Sequence, residues 1–147
     1  MPITVERARR VILFYGAVLL LGGIVTGIPF AMAIRYGWGE DVARAWRVAH
    51  TSMLTGGLLY LGVAGVVDRL VVGAKALRVL ARSGVVAAWA LLVVVPGGAL
   101  AGERGLVLGE SVVGTLVALG FVVMGGAITV FVVTLTVGAW AALRAPE

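Results

Sequence analysis

The sequence predicts an all-α integral membrane protein folded as a four-transmembrane-helix bundle. Three observations predict it. Apolar residues make up 61% of the 147 and charged residues 13%, with a mean hydropathy of +1.11. Soluble domains carry about 25% charged residues. A globule of this size cannot hide so much apolar surface from water, which excludes a soluble enzyme, and disorder would need the opposite composition. Four stretches, 11–34, 48–67, 83–102 and 111–143, hold no charged residue. Each supplies the ~20 residues that a spanning helix needs, without the alternation of spanning strands. Glycine, at 22 residues, is about twice its usual share, as expected for transmembrane helices.

The reading is one domain over 1–147, with helices at about 10–35, 45–68, 78–101 and 110–143. The first run follows Arg7, Arg9 and Arg10, and Ala31-Met32-Ala33 has the form of a cleavage site. Its apolar stretch exceeds the 7–15 residues of a signal-peptide core, so a true membrane helix is expected. Pro29 is placed to kink it. The segment 35–47 then forms an outward-facing connection carrying Trp38 and Trp46, aromatics suited to an interface. The second helix is followed by a short basic loop over 68–82. Pro96-Gly97-Gly98 is expected to weaken the end of the third helix. The fourth run would rise about 50 Å, against a hydrocarbon core of about 30 Å. It must tilt, project into water or begin later than Ser111.

Charge sets the orientation. One side holds Arg7, Arg9, Arg10, Arg69, Lys75, Arg78, Arg82 and Arg144, and the other Arg35, Arg44, Arg47 and Arg104. The positive-inside rule puts both termini in the cytoplasm of an inner or plasma membrane. The net charge of +5 is therefore read as topology, and nucleic acid is not an expected partner. The lipid bilayer is. Gly23-xxx-Gly27, Ser52-xxx-Gly56 and Thr134-xxx-Gly138 are spaced as packing seams for a compact bundle or oligomer.

Chemistry has few carriers. No acid lies within a core run, which removes carboxylate pairs, charge-relay triads and buried acidic proton relays. No interrupted pair of helices points to a transporter. With no cysteine, disulfides, iron–sulfur clusters and thiolate haem ligation are excluded. His50 is the only histidine, near the outer start of the second helix. At 100° per residue, Trp46, Met53, Leu54 and Gly57 share its face. Gly57 leaves room there for a flat ligand, and Arg47 offers a cation for an anion such as a haem propionate. One neutral imidazole suffices for a haem iron but not for a protein zinc site. The plainer reading is that His50 bonds a neighbouring helix carbonyl, that Arg47 snorkels and that Tyr60 and Trp89 pack. Met53 and Tyr60 are conceivable second iron ligands.

Trp46-x-x-Ala49-His50 followed by Gly57 resembles the second helix of the styrene oxide isomerase family, and Lys75, Arg78, Leu80 and Trp89 continue the match at the same offset. The resemblance implies a small four-helix protein that binds haem b between the subunits of a homo-trimer. The histidine matching His50 would be the iron ligand. Ferric iron would act as a Lewis acid on a small apolar epoxide, which rearranges to an aldehyde. The family's pocket asparagine and tyrosine fall on Gly56 and Val95, neither of which hydrogen-bonds through a side chain. Two alternatives stay open: a haem protein without isomerase activity, for electron transfer or sensing, and a cofactor-free structural or assembly subunit.

Overall fold

The computed structural model describes residues 3–102 and 111–145. Within them the chain forms four helices, α1 (Val5–Arg35), α2 (Glu40–Val66), α3 (Ala74–Ala101) and α4 (Val112–Leu143), with a single 3-10 turn, Val67–Arg69, after α2. All four are long and apolar enough to cross a membrane, and the described residues contain no strand. Lipid offers the backbone no hydrogen-bond partners, so every span must satisfy itself as helix.

Caps and local charges set the ends, and they move them relative to the charge-free runs. α1 begins a turn earlier than its apolar stretch because the Thr4 hydroxyl accepts from the Arg7 backbone N–H at 3.2 Å. Glu6 adds a favourable acid in the first turn and pairs with Arg10 at 2.8 Å. At the far end Gly37 and Gly39 take φ of 62° and 101°, values that other residues rarely adopt. α2 restarts at once, with Glu40 and Asp41 in its first turn and Arg44 on Glu40 at 3.1 Å. The segment 35–47, expected as a connection, is therefore mostly the first two turns of α2. That start buries Trp46, while Trp38 stays exposed in the turn.

α3 runs through Pro96 to Ala101, where Gly102, in the left-handed region, closes it by donating to the Gly98 carbonyl. The Pro96-Gly97-Gly98 stretch thus remains helical, since lipid punishes an unwound backbone more than helix punishes one missing N–H. Ser111 caps α4, accepting from the Gly114 N–H at 2.7 Å. The 32 residues of α4 exceed the bilayer core, so it tilts or projects. The expected start at 110 and the cation Arg104 lie outside the described residues.

α1 packs most closely on α2, and α3 on α4; contacts of α3 with α1 and α2 join the two hairpins. Glycines set the α1–α2 approach. A Cβ on Gly57 would lie 2.7 Å from Leu20 Cγ, and one on Gly23 2.6 Å from Leu54 Cδ2. Without hydrophobic drive between helices in lipid, such close approach is what packing can use. Gly138 lies against the α2–α3 connection, where its carbonyl accepts from the Val71 N–H at 3.3 Å.

Tyr60 locks three helices together. Its hydroxyl donates to the Gly84 carbonyl of α3 at 2.5 Å, and its ring stacks on Phe131 of α4 with centroids 5.2 Å apart. Tyr60→Phe keeps the stack and loses the hydrogen bond. The expected cost is about 0.5–1.5 kcal/mol, read as a lower thermal midpoint in detergent. The outer faces of the bundle, among them Leu21, Ile24, Ile28, Val122 and Val133, are exposed and apolar, as lipid requires.

Candidate cofactor site around His50

His50 lies on the α1-facing side of α2. Its Nδ1 is 2.7 Å from the Gly23 carbonyl oxygen of α1. A carbonyl only accepts, so in the neutral ring Nδ1 carries the hydrogen and Nε2 carries the lone pair. The bland expectation for His50, a bond to a neighbouring helix carbonyl, is thus realised. That same bond leaves the other nitrogen able to ligate.

One stripe of α1 builds the seat. Gly23, Thr26, Gly27 and Phe30 follow helical spacing. A Cβ on Gly27 would lie 3.0 Å from both Cε1 and Nδ1 of His50, so only glycine lets the imidazole rest against α1 without displacement. Phe30 stacks on the ring one turn further, with centroids 6.0 Å apart and planes 29° apart. The Arg47 guanidinium lies over the Phe30 ring, its Cζ 5.6 Å from the centroid. Thr26 turns its hydroxyl back to the Gly22 and Gly23 carbonyls at 2.8 and 3.0 Å, with Met53 Sδ 4.0 Å away.

The residues expected to accompany His50 divide in two. Met53 and Gly57 face α1 with it: a Cβ on Gly22 would lie 2.9 Å from Met53 Sδ, and Leu20 and the Gly16 carbonyl adjoin Gly57. The room that Gly57 was expected to leave for a flat ligand is filled by Leu20 within the same chain. Trp46 is buried, whereas Arg47 is exposed. Gly23, Gly27 and Phe30 were not anticipated as partners of His50. Their glycine-to-glycine spacing was visible as a seam, but not which residue it received.

Gly56 sits on a different side of α2. A Cβ there would meet Leu91 Cδ2 at 3.0 Å. It lines a groove of about 380 Å³ with Ser52 and Thr55 of α2, Leu91 of α3, and Met124 and Ile128 of α4. Val95 is buried in the core. Thr51, Ser52 and Thr55 are therefore the side chains that bring hydroxyls to the groove beside Gly56. Trp89 lies on the outer surface, where its Nε1–H donates to the Tyr15 hydroxyl at 3.0 Å and ties α3 to α1.

Among the described residues, no three of His, Cys, Asp and Glu gather as a metal site. The donor set is a single oriented imidazole in apolar surroundings. Such a set fits a metal that brings its own equatorial ligands, as a haem iron does, and fits a bare zinc ion poorly.

A family profile described as SOI, styrene oxide isomerase, matches residues 8–140. No curated protein and no solved structure matches the chain significantly.

Proposed function

This chain belongs to the styrene oxide isomerase family, and from that premise we propose that it binds haem b through His50 and isomerises a small apolar epoxide to an aldehyde. The observation that carries the reading is the 2.7 Å hydrogen bond from His50 to the Gly23 carbonyl. Metal-ligating histidines characteristically donate their second nitrogen in this way, which fixes the tautomer and raises the basicity of the ligating one. When bound, ferric haem supplies Lewis acidity toward an epoxide oxygen.

The chain's own residues have defined parts. His50 holds the iron through Nε2, the Gly23 carbonyl orients the ring, and Gly27 gives it space. Arg47 supplies a cation one turn from His50 for a propionate. Trp46, Met53 and Gly57 shape the seam along which His50 is held, and their apolar surroundings keep water away. Isomerisation moves atoms within one molecule, so no electron partner is required. The reading includes a homo-trimer with the haem between subunits. It places both termini and the α2–α3 connection in the cytoplasm, following the basic residues.

A second reading draws on Gly56 and Val95, which offer no side-chain hydrogen bond for orienting a substrate. It makes the protein a haem carrier or sensor without isomerase activity. One experiment separates the two. Detergent-purified protein is supplemented with haem, its absorption spectrum recorded, and aldehyde formation from styrene oxide and from aliphatic epoxides followed. A Soret band with aldehyde formation supports the isomerase. A Soret band without turnover of any epoxide favours the second reading. A flat spectrum overturns both and leaves a cofactor-free subunit.

A further inference from the structure

We propose that the cleft between α1 and α3 at the basic end of the bundle binds the phosphate of an anionic phospholipid. The cleft, about 270 Å³, is lined by the side chains of Arg7, Arg78 and Arg82 together with Ile3, Val11 and Val85. Arg78 Nε is buried there and has no hydrogen-bond partner. An unsatisfied buried donor is costly, and more so on a charged group.

Among the described residues, none of the three guanidiniums takes part in an ion pair. Glu6, the acid in the first turn of α1, is already engaged by Arg10. The first turn of α3 contains no acid. It carries Lys75 instead, against the preference of a helix N-terminus for negative charge. α1 and α3 run the same way through the alternating bundle, so both positive helix ends add to the arginines' field. The site therefore calls for an anion, and guanidinium forks match phosphate oxygens bidentately.

Depth identifies the anion's source. Val11 opens the first charge-free run, and Val85 lies just inside the third. The arginine end of the cleft thus lies at the polar edge of the membrane, and its valine end at the hydrocarbon. A phosphodiester carrying an acyl chain satisfies both ends, whereas free phosphate satisfies only the first. Anionic lipids of a cytoplasmic leaflet also concentrate at basic juxtamembrane groups.

The test is native mass spectrometry of the full chain in detergent. Phosphatidylglycerol and phosphatidylcholine of identical acyl chains are offered, with and without millimolar inorganic phosphate. Phosphatidylglycerol adducts are expected to exceed phosphatidylcholine adducts about tenfold, because phosphatidylcholine offers the same phosphodiester together with a trimethylammonium group that the arginines repel. They are expected to fall by a similar factor in Arg78→Gln and Arg82→Gln, to persist in Arg9→Gln, which lies outside the cleft, and to resist inorganic phosphate. Equal occupancy by the two lipids overturns the proposal. So does an unchanged adduct in both cleft variants, equal loss in Arg9→Gln, or displacement by inorganic phosphate. Arg82→Gln provides the reading should Arg78→Gln fail to fold.

Discussion

His50→Ala is expected to abolish the Soret absorbance of haem-supplemented protein, with at least a tenfold loss of bound haem. A proximal ligand supplies the covalent hold on iron, and no other imidazole or thiolate exists in this chain to replace it. The variant should still fold. It loses one hydrogen bond, worth about 1 kcal/mol, and the Gly23 carbonyl keeps the Thr26 hydroxyl as a donor. Size-exclusion profile and helical circular dichroism check the fold, and added free imidazole checks the chemistry. Partial return of the Soret band with imidazole shows that the missing group is the ligand itself. A wild-type spectrum in His50→Ala would remove His50 from the iron and, with it, the site described above.

The second large effect is expected for Gly23→Val. Its Cβ would stand 2.6 Å from Leu54 Cδ2 and 3.1 Å from the Leu54 backbone nitrogen. The leucine tip can rotate away, but the backbone of α2 cannot, so α1 and α2 must separate. Overpacking of this kind costs about 1–3 kcal/mol. The same displacement moves the carbonyl that orients His50, so haem occupancy should fall together with the thermal midpoint. Gly62→Val is the control, because nothing lies within 4 Å of a Cβ at Gly62. Thermal unfolding in detergent, followed by fluorescence-detected size exclusion, compares the two. Equal midpoints would show that the α1–α2 seam is not as tight as described. A lowered midpoint with unchanged haem would separate packing from His50 orientation.

Different physical constraints governed what could be read at each level. Sparse residues between 44 and 89 pointed to a family whose profile extends over 8–140. That match followed chemistry-bearing residues, which stand out in an apolar chain. The helix ends were less legible. α1 and α2 extend beyond their charge-free runs because Thr4 caps the one and Glu40 and Asp41 open the other. Charge-counting stops at the first arginine, whereas a helix continues into the headgroups as long as its backbone is satisfied.

The sequence by itself determined four spans, their order, the basic end and the one imidazole able to hold a metal. Hydrocarbon thickness and the need for internal hydrogen bonds impose these locally, residue by residue. The tertiary structure alone decided which α1 stripe receives His50, that Leu20 occupies the room beside Gly57, that Trp46 is buried, and that Arg78 has a buried nitrogen with no partner. In water a buried face announces itself by its apolarity. In lipid the outer face is as apolar as the inner one, so facing partners are chosen by shape, and shape is settled only when the helices meet.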